Sequence, residues 1–138
     1  MPVQICMVFG TMFQEHALFF NHQYSKDMNG YHFYKDCIDS CLRCAAICNH
    51  CASACTEEKD VAMMAQCIRL DMECAATCYA AAQLMSLGST YAVQLCSVCA
   101  DICDACAAEC GKHSNEHCRE CAEACKQCAD ACRKMLIS

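Results

Sequence analysis

The sequence predicts an all-α chain: an antiparallel up-down-up-down four-helix bundle with a cysteine-lined core, preceded by a short N-terminal arm or helix. Three observations carry that prediction. Cysteines recur at alternating intervals of three and four residues, as in CIDSCLRCAAICNHCASAC from Cys37 to Cys55, and a mean spacing of about 3.5 is the seam of a helix packed on other helices. The residues between them are rich in Ala, Glu, Lys and Gln, which are helix formers, and the chain holds only 4 Gly and 1 Pro. The segments joining the repeats are short, and short connections make neighbouring helices antiparallel.

At 138 residues the chain fits one modest core. Residues 1–30 are expected to form the arm and residues 31–138 the bundle. In the arm, Thr11 to Tyr24 fit a short amphipathic helix through Phe13, Ala17, Phe20 and Tyr24, and Asn29-Gly30 marks a turn before the bundle. Cys6 lies there, outside every ladder, with His16 and His22.

The first bundle helix carries Cys37, Cys41, Cys44, Cys48, Cys51 and Cys55 on one face. TEEKD ends at Asp60 and opens the second segment, Asp60 to Leu87, whose seam reads Met64, Cys67, Asp71, Cys74, Cys78, Ala81 and Met85. LGST around Gly88 precedes the third ladder of Cys96, Cys99, Cys103, Cys106 and Cys110. GKHSN around Gly111 precedes the fourth, Cys118, Cys121, Cys125, Cys128 and Cys132. Each joint pairs a helix stop with an N-cap candidate: Asp60, Ser89 or Ser114. Of the 20 cysteines, 19 thus point inward.

Thiols at so many seam positions need a reason, because each forgoes part of the roughly 1.5–3 kcal/mol that a larger apolar side chain contributes on burial. Disulfides within a helix fit badly: neighbours three or four apart hold their Cβ atoms about 5–6 Å apart, against about 3.8 Å in a disulfide. Zinc knuckles and iron–sulfur runs use other spacings, and match only fragments here. An exposed low-pKa CxxC beside a βαβ pattern, the mark of a redox enzyme, is missing. Cu(I) is soft, prefers thiolate and accepts two- or three-coordinate sites. Each Cu(I) that displaces one thiol proton leaves the core charge unchanged, so loading toward one ion per cysteine avoids burying uncompensated thiolates. The bundle therefore reads as a tube for many Cu(I) ions. Zinc or cadmium sequestration, and a cysteine-rich redox or iron–sulfur protein, are the rival readings.

A net charge of −6 with no basic stripe argues against nucleic acid. The apolar run ICMVFGTMF is too short to span a bilayer and has no basic flank or cleavage site, so neither membrane nor export is expected, and a reducing cytoplasm is.

Over YKDCIDSCLRCAAICNHCASACTEEKD, CIRLDMECAATCYAAAQLM and CSVCADICDACAAECGKHSNEHCRECAEACKQCADACRKM, about Tyr34 to Met135, the chain resembles the bacterial four-helix-bundle copper storage proteins, specifically the cytosolic branch without an export signal. The resemblance implies a non-enzymatic Cu(I) store that assembles as a homotetramer, with cysteine sulfur as its main ligand. A protein that donates or accepts copper is an expected partner.

Four further residues join the candidate metal set. Asp71 occupies a seam position, where an acid is costly unless paired or bound; a thiol hydrogen-bond acceptor or an oxygen ligand is the functional reading, and rotation toward a Lys or Arg or a place at a helix boundary is the structural one. Antiparallel topology gathers Cys55, Met64, Cys110, His113 and Cys118 at one end, with His117 directly before Cys118. Neutral imidazole and thioether can accept Cu(I) there. His50 is read as an off-seam surface or inter-subunit histidine, His32 is left unassigned, and Met28 and Met72 are read as packing residues.

Overall fold

The computed structural model describes residues 30–136. The expected arm helix Thr11–Tyr24, with Cys6, His16, His22, Met28 and Asn29, lies outside the described residues, as does Ile137.

A helical turn, Gly30–Phe33, leads into α1, Lys35–Cys55. After a 3-10 turn, Val61–Met64, come α2, Ala65–Ser86, then α3, Ala92–Cys110, and α4, Glu116–Leu136. Each helix packs on its chain neighbour and α4 closes the square against α1. Sulfur contacts fix the directions. Cys55 meets Cys67 and Cys44 meets Cys74 between α1 and α2; Cys67 meets Cys110 and Cys78 meets Cys99 between α2 and α3. Cys37 meets Cys132 and Cys51 meets Cys118 between α1 and α4. In every pair one numbering rises as the other falls, so adjacent helices are antiparallel, as the short joints require.

All 19 ladder cysteines are buried and free. Beside them sit buried alanines, among them Ala45, Ala75, Ala100, Ala107 and Ala129. These small residues flank the sulfur seam and let the helices come close enough for thiols to touch across the axis. The outer faces carry exposed pairs such as Lys35–Asp39 and Arg69–Glu73, which solvent screens. Arg133 on α4 pairs with Asp104 and Asp101 on α3.

The helix starts differ from the expected caps. Asp60 stands before the 3-10 turn, with its backbone oxygen accepting from the Met63 N–H, and α2 begins after Met64 with no side-chain cap. Ser89 Oγ accepts the Tyr91 N–H at 3.1 Å, and Tyr91 holds the cap position of α3. At α4 the Asn115 backbone oxygen takes the Cys118 and Arg119 N–H groups, one residue beyond Ser114. Met72 also departs from the packing role read for it: it is 61% exposed, because one step from the seam residue Asp71 turns it about 100° away from the core.

The two ends of the tube are unlike. At the far end the α2 seam loses its thiols after Cys78, and Ala81, Met85, Ala92, Tyr34 and Ile38 fill the space. Gly30 makes the closing contact: a Cβ there would lie 2.5 Å from Gly88 N, 2.6 Å from Gly88 Cα and 2.7 Å from the Met85 carbonyl oxygen. Gly88 itself turns the α2–α3 joint at φ 65, a conformation glycine adopts without strain. Gly30→Ala is therefore expected to destabilise the copper-free protein by about 1–3 kcal/mol through backbone overpacking, read from chemical unfolding of the reduced chain.

Candidate metal centre

Helical periodicity stacks the ladder sulfurs in layers, and antiparallel packing interleaves layers from facing helices. Cys44, Cys74 and Cys125, from three different helices, form a triangle with edges of 3.9, 3.7 and 3.9 Å. Equilateral triangles of that size place their centres roughly 2.2–2.3 Å from each sulfur, the length of a metal–thiolate bond.

The triangles share edges. Cys44, Cys48 and Cys125 are 3.9, 3.6 and 3.7 Å apart; Cys78, Cys99 and Cys103 are 3.6, 3.9 and 3.9 Å apart. Cys74 joins the two groups through Cys103 at 3.4 Å and Cys78 at 3.9 Å. Toward the far end Cys128, Cys41, Cys132 and Cys37 continue the run at 3.6, 3.8 and 3.8 Å, with Cys96 buried beyond them. A sulfur that belongs to several triangles can bridge ions, so the array has no natural boundary between one site and the next. Quartets such as Cys48, Cys106, Cys121 and Cys125 also converge within 4.8 Å. A divalent tetrahedral ion held by four thiolates would leave two negative charges in a core whose buried polar side chain, among the described residues, is Asp71. A monovalent ion exchanged for a proton leaves none.

Asp71 does not turn out toward a Lys or Arg. It is fully buried, and its Oδ1 accepts from the thiols of Cys121, Cys106 and Cys110 at 3.1, 3.2 and 3.4 Å, with Cys67 at 3.8 Å from Oδ2. Burial pushes its carboxyl up to about 8. Near neutral pH it is therefore largely protonated, so little carboxylate charge is buried among the thiols.

At the near end the outermost sulfur triangle is Cys51, Cys55 and Cys118, with edges of 3.9, 3.9 and 4.0 Å. His117 Nδ1 stands over it, 3.5 Å from Cys51, 3.9 Å from Cys55 and 3.4 Å from Cys118. Burial pushes Cys55 up to about 11 and Cys118 upward as well, so these thiols stay protonated until a metal arrives. A cleft of about 600 Å3 opens outside, lined by Met63, Met64, His113, Lys112, Glu58 and their neighbours. Met64 is buried at its floor. His113 Nε2 is buried with Glu109 Oε1 3.5 Å away but outside hydrogen-bond geometry. The structure thus brings Met64, His113 and His117 to one mouth. His50 and His32 are exposed on the outside.

Sequence reasoning missed Glu58, whose Oε1 lies 2.8 Å from His117 Nε2. The topology contained the clue, since the α1–α2 and α3–α4 joints share an end, but TEEKD offers several acids and periodicity does not rank loop residues. A smaller cleft of about 410 Å3 lies over Cys37 between α1 and α4, lined by Gln127, Ala131, Lys134 and Met135.

The raised Asp71 carboxyl sets a pH dependence. Its folded pKa lies above the unfolded value of about 3.9, so its contribution to stability is full below about pH 4 and is lost as pH rises toward about 8. The reduced, copper-free protein is expected to lose stability between about pH 5 and pH 7.5, measured by denaturant unfolding. Asp71→Asn should flatten that slope, and an unchanged slope would assign it to other groups.

Residues 31–137 match the Copper storage protein family, Csp. The Cu(I)-bound copper storage protein BsCsp3 superposes with a TM-score of 0.72 at 46% identity, over 74% of this chain and 96% of that one; the apo form from Bacillus subtilis gives 0.71. A cytosolic copper storage protein from Streptomyces lividans, with five coppers, superposes with a TM-score of 0.75 at 42% identity over 79% of this chain and 96% of that one. The Uncharacterized cysteine-rich protein YhjQ of Bacillus subtilis is 48% identical over 65 residues, 47% of this chain but only 60% of that protein's length. With the profile covering the bundle and the solved relatives sharing its four-helix architecture, the chain belongs to the copper storage protein family.

Proposed function

We propose that this chain stores and buffers many Cu(I) ions in its bundle core, as a binding protein and not an enzyme. The observation that carries the reading is the sulfur array itself, with edge-sharing triangles at its middle and close sulfur contacts toward both ends, built from buried free thiols with no disulfide among the described residues. Loading is an exchange in which each incoming Cu(I) forms a bond to sulfur and one thiol proton leaves, so the dry core stays neutral at every stage. The ligands are the 19 ladder cysteines, with Asp71 accepting hydrogen bonds from the thiols of Cys106, Cys110 and Cys121.

A solved relative from Streptomyces lividans is described as loaded with 10 copper equivalents, which agrees with a multi-ion core. The Streptomyces lividans relative with five coppers is described as cytosolic, which supports placement of this chain in the cytosol. Among the described residues no helix is long and apolar enough to cross a membrane. Exposed Leu42, Met72, Tyr79 and Val98 supply apolar surface that a homotetramer would cover. A copper donor or acceptor would dock at the histidine mouth.

Titrating the reduced protein with Cu(I) against a chromophoric chelator is expected to plateau on the order of ten to twenty ions per chain. Serine at all the ladder positions should abolish the capacity. A plateau of one or two ions, or copper retained by the serine variant, would sink the storage reading.

We place the entrance at the mouth that holds His113, His117 and Met64, because the other end is filled by Met85, Tyr34 and Ile38. Neutral imidazole and thioether can hold Cu(I) in passing without fixing a charge. Apolar replacement of His113, His117 and Met64 together should slow uptake and removal several-fold while leaving capacity nearly unchanged. Unaltered rates would move the entrance to the cleft over Cys37, and a large loss of capacity would make these residues storage ligands.

A further inference from the structure

We propose that Glu58 is a positioning residue for copper uptake, clamping His117 so that its Nδ1 lone pair faces the outermost sulfur triangle. The inference rests on the storage reading above and on His117 as a mouth ligand, and adds the group that makes that histidine competent.

The geometry is a relay of three partners. Glu58 Oε1 lies 2.8 Å from His117 Nε2, and Nδ1 of the same ring stands 3.4–3.9 Å from all three sulfurs of Cys51, Cys55 and Cys118. An ion entering that triangle would find the nitrogen above it as a further donor. The ring can serve in this way only if its proton sits on the opposite nitrogen, since a neutral imidazole has one N–H and one lone pair.

Glu58 imposes that arrangement. An ionised carboxylate only accepts, so Nε2 must donate and Nδ1 must carry the lone pair. The hydrogen bond to His117, aided by Asn115, holds the Glu58 carboxyl below the usual carboxylate range and keeps it ionised. The same contact blocks the half-turn of the ring that would put carbon in place of each nitrogen, turning Nδ1 away from the sulfurs and Nε2 away from Glu58. Carboxylate partners of ligating histidines commonly fix tautomer and orientation and strengthen the donor, and their loss typically costs about 10–100-fold in metal affinity or activity. The remaining thiol donors also fit, because an Nδ1 lone pair accepts from the protonated Cys51 and Cys118.

The clamp also spans two parts of the mouth. Glu58 comes from the α1–α2 joint, anchored by its N–H to the Cys55 carbonyl at 3.3 Å, whereas His117 sits in the first turn of α4. With its side chain about a third exposed (35%) against 13% for His117, Glu58 is the outer, solvent-facing half of the pair. It is not itself among the sulfur-facing groups, so its effect on copper must pass through the ring.

The test uses the full chain, reduced, with Cu(I) delivered from a chromophoric chelator, and compares Glu58→Ala, His117→Ala and the double variant. In the copper-free wild type, nitrogen-15 NMR of the His117 ring is expected to give a single Nε2–H tautomer with a hydrogen-bonded proton. Glu58→Ala should lose that protected proton and slow uptake by about 10-fold or more while the saturation capacity stays at the wild-type value. In the His117→Ala background, Glu58→Ala should add no further slowing. The assignment is overturned by an Nδ1–H tautomer in the wild type, by Glu58→Ala uptake at the wild-type rate, or by equal slowing in both backgrounds. The capacity measured in the same titration separates this failure from failure of the storage reading: normal capacity with unchanged rates removes only Glu58.

Discussion

Everything in this bundle depends on keeping sulfur uncharged inside a dry core. A buried thiolate with no counter-ion would cost several kcal/mol, and burial accordingly raises Cys55 and Cys118 above the ordinary thiol range. The protonated array can therefore be packed like any apolar core, although each thiol contributes less burial than leucine would. Exchange of a proton for Cu(I) preserves neutrality, which is why a monovalent soft cation suits this interior and a divalent one does not. Capacity and foldability then cease to compete, since no sulfur needs to be ionised before its ion arrives.

The same condition dictates the scaffold. Thiols three and four residues apart on one helix sit about 5–6 Å apart at Cβ, too far for a disulfide and near enough for Sγ contacts of 3.9 Å, as in Cys74–Cys78 and Cys106–Cys110. The third corner of a triangle must come from a facing helix. The buried alanines beside the seam permit that approach, and the ladder on α1 interleaves with those on α2 and α4. Replacing Ala45 or Ala129 by a larger residue would separate helices whose sulfurs meet at 3.6–4.0 Å, so the alanines are as much a part of the sulfur geometry as the cysteines.

How much of this was legible in the sequence follows from which features are periodic. The four ladders, their inward direction and the antiparallel order can be read from spacing and loop length alone, and Asp71 stands out because it interrupts a seam with an acid. The detail at the joints could not be read so. Ser89, Ser114 and Asp60 are good cap residues, but a 3-10 turn and backbone acceptors displaced them, since helix packing decides where each helix starts. Glu58 was hidden because loop acids have no period, and Met72 because one step in a helix separates core from surface.

The unlike ends give the array a direction. At the far end Met85, Ala81, Ala92, Tyr34 and Ile38 replace thiols with apolar volume, and the Gly30–Gly88 contact draws a helical turn across the α2–α3 joint. At the near end an imidazole, a thioether and several acids border solvent. Asp71 lies one helical turn inside that mouth, bonded to Cys106, Cys110 and Cys121 just beyond the outermost triangle. An ion passing inward leaves a nitrogen donor and meets, in the next layer, thiols whose protons already point at a carboxylate with a pKa of about 8. A gradient from neutral donors at the surface to a mixed carboxyl–thiol layer and then purely sulfur layers is thus built into the order of residues along α2, from Met64 through Cys67 and Asp71 to Cys74 and Cys78.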